Sequence, residues 1–357
     1  MKLYIKEGIA ENGKFNAGSK AREDVEKILK INDYKALEIR TQYGVRQKKW
    51  QKPLQYLAYL KNYFEWKKAI KSLDNEDTVY IQYPIVNITL FFNRVIVKLA
   101  KKNVKTIAII HDLDSLRIEK NKGNILFNLR RKYEDTKNLK KFYGIISHNK
   151  HMTEKIKEME INKCKIVELG IFDYLANENI ALKEKNKNMP VVIAGNLSSE
   201  KAGYIGELGK IKNIEFNLYG KGIEKNKIRN INYKGSFLPD DLPSNIEGSF
   251  GLVWDGNKID TCDGVYGNYL RYNNPHKVSL YIISRMPVIV WNKSAVADFV
   301  IDNNIGFSVG SLEEIPGKLK ELTEDDYESM IKNVDSIRKK ISNGEFLLNS
   351  IEEMERI

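Results

Sequence analysis

Cysteine is nearly absent: Cys164 and Cys262 stand about a hundred positions apart, with no second pair in 357 residues. Neither a disulfide framework nor a zinc cluster is supported, and both side chains are expected to be reduced, inert thiols. Eight prolines are too few for a collagen-like, linker-like or low-complexity chain. No apolar run approaches the ~20 residues of a membrane-spanning helix. The start, MKLYIKE, lacks the apolar core of a signal peptide, so a cytoplasmic chain is expected. Helix-turn-helix, finger and RNA-binding signatures are missing too. Acidic residues are short in one half only. Up to Lys187 there are 39 Lys and Arg against 23 Asp and Glu, and from Asn188 onward 20 against 24, so the halves carry +16 and −4. Such an excess points to a polyanion, an anionic membrane surface or an acidic ligand, with lysine-rich composition as the plain alternative. The lysines are scattered instead of striped, and nucleic acid is not an expected partner.

What is present is a globular composition, 42% hydrophobic and 30% charged, long enough for two domains. Apolar runs of strand length alternate with amphipathic stretches, the pattern of parallel sheets covered by helices. Strands are expected at Lys2–Glu7, Ala36–Ile39, Thr78–Gln82, Thr106–His111, Gly144–Ser147 and Lys165–Leu169. Helical spacing marks Ser19–Lys30, and Ile88–Leu99 reads as a mostly buried helix. The polar run NENIALKEKNKN, 177–188, reads as a linker. A second set of strands follows at Val191–Ala194, Glu215–Tyr219, Ile231–Lys234, Phe250–Trp254, Val288–Trp291 and Gly306–Val309. The expected α/β architecture is two doubly wound parallel-sheet domains, 1–176 and 189–324. Residues 325–357 are expected to form C-terminal helices, with a crossing back onto the first domain as one arrangement.

Open parallel sheets bind ligands at the carboxyl ends of their strands, so the loops there carry the search. After the first strand, GKFNAGSKAR places small residues at a helix start with Ser19 near its cap, suited to an anion or to an ordinary capped turn. It has neither Walker nor G-x-G-x-x-G spacing. His111-Asp112-Leu113-Asp114-Ser115 sets an imidazole and two carboxylates at a strand end, where a carboxylate can accept a proton from an attacking hydroxyl or simply cap a helix. His148 and His151 have i, i+3 spacing but no accompanying ligand set, so no metal is assigned there. In the second half three strand ends bear glycine: Gly195-Asn196-Leu197, Tyr219-Gly220-Lys221-Gly222 and Lys234-Gly235-Ser236-Phe237. The densest stretch runs from Asp255-Gly256 through Asp260–Gly267 to Asn274-Pro275-His276-Lys277. Its Asn-Pro turn opens a helix on His276 and Lys277. A lysine at a helix N-terminus suits a leaving diphosphate.

SKAREDVEKIL, IIHDLDSLR and YGNYLRYNNPHKVSLYIISRMPVIVW together resemble the GT-B glycosyltransferases, specifically the beta-1,6-galactofuranosyltransferases and bacterial adhesin glucosyltransferases. The resemblance spans nearly the whole chain and implies two Rossmann-like domains facing across a cleft. It implies transfer of a hexose from a UDP-sugar to a glycan, lipid-linked oligosaccharide or glycoprotein hydroxyl, without cofactor and without a metal at Asp112-Leu113-Asp114. Carried over, Gly195, Asn196 and Leu197 lie near diphosphate and sugar, Tyr219 and Phe237 near the nucleoside, and Asn274, His276 and Lys277 at the phosphates. Asn16, Gly18, Ser19 and Lys20 match the acceptor-side loop, with Gln82, Tyr83 and His111 facing the cleft and Asp112 as base of an inverting reaction. Relatives imply a dimer or tetramer, and the basic half suits peripheral attachment at the inner membrane face. Two other readings stand beside this one: a sugar-nucleotide epimerase, and a catalytically silent partner subunit of another transferase.

Overall fold

The computed structural model describes residues 1–8, 17–40, 52–87, 89–117, 134–161, 164–176, 180–223 and 228–356. Two compact units emerge, one of residues 1–13, 25–169 and 348–357, the other of 14–24 and 170–347.

The first unit is built on six parallel strands, β1 (Lys2–Glu7), β2 (Lys35–Ile39), β3 (Thr78–Tyr83), β4 (Lys105–Ile110), β5 (Gly144–Ser147) and β6 (Lys165–Glu168), in the order β2-β1-β3-β4-β5-β6. Central strands read as unbroken apolar runs because both faces are covered: β4 is buried from Thr106 to Ile110. Helices α1 (Ala17–Ile31), α2 (Lys52–Ala69), α3 (Phe92–Lys101) and α4 (Lys150–Glu158) connect them. Ser19 therefore lies inside the first turn of α1, not at its cap. The buried helix expected from Ile88 begins later: Ile88 is outside the described residues, Phe91 has left-handed φ 57°, and the helix opens at Phe92. Its buried face is Phe92, Val95, Ile96 and Leu99, one stripe at helical spacing.

The second unit carries β7 (Val191–Asn196), β8 (Phe216–Lys221), β9 (Ile231–Gly235), β10 (Gly251–Val253), β11 (Val288–Trp291) and β12 (Gly306–Val309) in the order β12-β11-β10-β7-β8-β9. The chain steps outward from β7 to β9, then restarts on the other side of β7 with β10, which is the Rossmann strand order. Of the twelve expected strands, four coincide with the observed ones and the rest differ by one or two residues at one or both ends. Helix α5 (His276–Ile283) opens at the residue its sequence announces, followed by α6 (Glu324–Ser342) and α7 (Glu345–Arg356). Residues 170–176 group with this unit for a physical reason. The Asp173 carboxylate accepts from the amides of Phe346 and Leu347 (3.2 and 2.8 Å), Ser279 Oγ donates to Phe172 O (2.5 Å), and the Tyr174 amide donates to Ile341 O.

Candidate functional site

The reversal of strand order between the parallel neighbours β7 and β10 opens a crevice at their carboxyl ends. The two strands pair only at Gly251 and Val192 and then part. Tyr281 of α5 fills the gap: its hydroxyl accepts from the Ala194 amide (2.9 Å) and donates to Leu252 O (3.1 Å), satisfying backbone groups that the parting strands leave behind. Gly251 makes this possible, since a Cβ there would come within 2.0 Å of the Tyr281 ring. The result fixes the N-terminus of α5 at the crest of the sheet.

Three glycines with positive φ line that crest: Gly195 (119°), Gly220 (148°) and Gly256 (123°). A side chain on Gly195 would meet Lys277 Cε at 3.5 Å. Lys277 Nζ donates to Asp255 Oδ1 at 2.9 Å, and Lys201 Nζ lies 3.7 Å from the other oxygen. One carboxylate thus holds two ammonium groups, leaving a net positive charge beside the start of α5, whose free amides favour the same sign of ligand. Enclosure lowers the Lys277 pKa below the ordinary lysine value, while Asp255 opposes the shift. The arrangement is suited to an anion with several oxygens.

The other residues expected on the donor side divide. Asn196 is exposed, and its Oδ1 accepts from the Ser198 amide (3.0 Å), shaping the turn after β7. Leu197 is buried, with its amide on Lys221 O. Tyr219 is a core residue whose hydroxyl accepts from the Glu247 amide; its ring lies 6.2 Å from that of Phe237. Asn274 is buried and donates to Gly170 O, so its amide nitrogen ties down the chain at 170. His276 stacks on Tyr174 at 5.0 Å and 20°. Burial, with the nearby Lys20 charge, brings its pKa down to about 4, so the imidazole is neutral at physiological pH. Its Nε2, like Asn273 Oδ1 on the same turn, is sealed from solvent with no hydrogen-bond partner among the described residues.

Of the acceptor-side loop, Asn16 lies outside the described residues, while Gly18 and Ser19 sit in the first turns of α1. Lys20 is committed elsewhere. Its ammonium reaches Asp24 Oδ1 (2.7 Å), Asp240 Oδ1 (2.9 Å) and Leu175 O (2.7 Å) and lies 4.9 Å from the centre of the Tyr174 ring. With the side chain 2% exposed, it is a buried tether of the second unit.

In the first unit, His111 Nε2 and Gln82 Oε1 are 2.7 Å apart, and Gln82 Nε2 donates to Glu26 Oε1 at 3.4 Å. Tyr83 is buried with its hydroxyl on Asp135 Oδ1 (2.7 Å), so its phenol is part of the interior. Asp112 Oδ1 pairs with Arg117 at 2.9 Å, both side chains about one-third exposed (32% and 29%). His148 is buried with Nε2 on Ile110 O, a core histidine whose pKa burial lowers to about 4. Among the described residues no group of three or more His, Cys, Asp or Glu has the arrangement of a metal site. Asp255 and Lys201 received no role from the sequence. The available signal was weak: Asp255 opens the densest polar stretch, but Lys201 lies 54 positions earlier, and only the adjacency of β7 and β10 joins them.

Two family models match: "Glucosyltransferase 3-like, N-terminal domain" over residues 2–171 and "Glucosyltransferase 3-like, C-terminal domain" over 191–354. The chain is 33% identical to beta-1,6-galactofuranosyltransferase WbbI of Escherichia coli strain K12, covering 79% of this chain and 80% of that one. Glucosyltransferase 3 of Streptococcus parasanguinis is 25% identical, with 78% of each chain covered. Among solved structures, sucrose-phosphate synthase from Thermosynechococcus elongatus aligns with a TM-score of 0.63 at 10% identity, covering 100% of this chain and 98% of that one. TarM of S. aureus, solved with UDP, aligns at 0.52 and 14% identity, covering 82% and 59%. These structural likenesses concern the fold, which is that of the GT-B glycosyltransferases.

Proposed function

Because the chain belongs to the glucosyltransferase 3-like family and is a hexosyltransferase, we propose that its donor is a UDP-hexose bound at the crest of the second unit. Galactofuranose is placed ahead of glucose, following WbbI and Glucosyltransferase 3 respectively. The acceptor is a hydroxyl of a glycan or glycoconjugate in cell-surface polysaccharide or glycoprotein synthesis. The observation that carries the donor reading is Asp255 held between Lys277 and Lys201 beside Gly195 at the start of α5.

The chemistry follows from charge. As the bond from the anomeric carbon to the diphosphate breaks, its electron pair stays on the phosphate oxygen. The Lys277 ammonium and the α5 amides stabilise that growing charge more in the transition state than in the ground state. Neutralisation by ammonium and amide groups supports a metal-independent reaction. In the first unit Asp112 is the proposed base: it takes the acceptor hydroxyl's proton as that oxygen bonds to the anomeric carbon, inverting its configuration.

Calorimetric titration in the presence of EDTA tests this with UDP, UDP-glucose, UDP-galactopyranose and UDP-galactofuranose. Binding of UDP with a preference for one sugar is the expected result. Absence of binding to all four removes the donor reading and favours the silent-partner alternative.

A further inference from the structure

One face of the first unit spends large apolar side chains on the surface. Helix α2 has an inward and an outward apolar side: Trp66, and Ile70 just past its end, are buried, while Tyr56, Leu57 and Phe64 are each 54% exposed. The outward stripe alternates, with Leu57, Lys61, Phe64 and Lys68 following one another at helical spacing. The stripe continues onto the chain before α3. Leu90 donates to Tyr59 O, the ring of Tyr63 meets both Phe64 (5.7 Å) and Phe91 (5.9 Å), and Phe91 is itself 47% exposed. Cations lie along the aromatic rings: Lys67 Nζ is 5.7 Å from the centre of Tyr63 and 5.9 Å from that of Phe64, and the Arg94 guanidinium is 4.5 Å from Phe91. Glu65 is the sole acid in the sequence of α2, and α3 contains none. Among the described residues Lys61, Lys67 and Lys68 have no ion pair with a carboxylate.

We propose that this aromatic and lysine-bearing face of α2 and residues 90–94 docks on an anionic lipid surface, with α2 lying in the plane of the headgroups. Each residue type has a reason. Leu57, Phe64 and Phe91 enter the boundary of the acyl region, and tyrosines sit at headgroup depth with the ring apolar and the hydroxyl wet. Lysines lay their methylenes along the apolar surface and carry the ammonium to the phosphates. Charge selects this occupant over a second copy of the chain. A two-fold contact of the patch with itself would set its lysines against each other with few acids to meet them. An anionic bilayer meets every one, in keeping with the +16 of the first 187 residues. The inference deepens the proposed function by placing the acceptor at a lipid surface, yet it rests on the patch alone.

The test is co-sedimentation of the full chain with vesicles of phosphatidylcholine, alone or mixed in equal parts with phosphatidylglycerol, and with neither donor nor acceptor present. Binding to the mixed vesicles, weak binding to the neutral ones and release by high salt are expected. The double variants Leu57→Ser/Phe64→Ser and Lys61→Glu/Lys68→Glu should each lower the bound fraction about tenfold. Both pairs are exposed, and wild-type UDP titration of each variant shows that the fold is kept. No binding to the mixed vesicles, or binding that neither pair weakens, overturns the proposal. So does a shift in sedimentation of the free protein caused by the variants, which assigns the patch to a second copy. None of these results touches the donor reading, whose failure would appear in the UDP titration.

Discussion

Lys277 is shared between two tasks, and this makes its substitution informative. It neutralises Asp255 together with Lys201, and in the proposed donor complex it faces the diphosphate as well. Lys277→Ala should lower turnover about a hundredfold, the scale of losing one preorganised transition-state contact. Steady-state rates at saturating donor check it, and an unchanged rate would take Lys277 out of the site. The same enclosure sets a pH limit. Because burial lowers the Lys277 pKa from 10.5, the ammonium is lost at a lower pH than an exposed lysine's, and donor affinity should fall on the alkaline side before that value is reached. At this scale the sequence is a partial guide. Gly195 and Lys277 stand out in the sequence because a small residue at a strand end and a cation at a helix start each have a local physical meaning, and the structure sets the two side by side. Lys20 and Asn274 look equally ready for a ligand in the sequence. Each is consumed by groups far along the chain: Asp240 and Leu175 O for Lys20, Gly170 O for Asn274.

The elements that carry these side chains depend on a few buried polar contacts. The first turns of α1 belong to the second unit by contacts, tied there by Lys20 and by Asp24, which is 1% exposed and accepts from the Leu175 amide at 3.1 Å. Lys20→Met should destabilise the protein by about 3–5 kcal/mol, because Asp24 then stays buried without its ammonium. Pairing that change with Asp24→Leu should recover most of the loss. Denaturation midpoints of the single and double variants decide this, and a single variant as stable as the wild type would make the tether incidental. Strand positions were read within two residues since doubly covered parallel strands are continuous apolar runs. Helix starts were read less well. Periodicity marks Ser19–Lys30 but not the two residues before it, Ala17 and Gly18, and the left-handed backbone of Phe91, not any hydrophobic signal, sets where α3 begins.

For the molecule as a whole, Asp173 joins residues 170–176 to the α7 start, and it has a pH signature. Burial raises its pKa from 3.8 to about 7, against the pull of the two amides it accepts from. Between those values the folded chain keeps a proton that the unfolded chain has lost, so this group's contribution to stability declines as pH rises through the window. Relative to Asp173→Asn, which cannot titrate, the wild type should lose about 1–3 kcal/mol between pH 5 and pH 8. Denaturant titration at the two pH values measures the difference, and a constant gap would show that the amides hold the carboxylate ionised throughout. The sequence by itself determined the two parallel sheets, the loops at their carboxyl ends and the family, because apolar runs and turn residues act over a few positions. Tertiary structure decided which polar side chains remain for a substrate. Burying an ammonium, carboxylate or amide demands a partner, and the partners of Lys20, Lys277 and Asn274 come from segments that only the completed folds bring close.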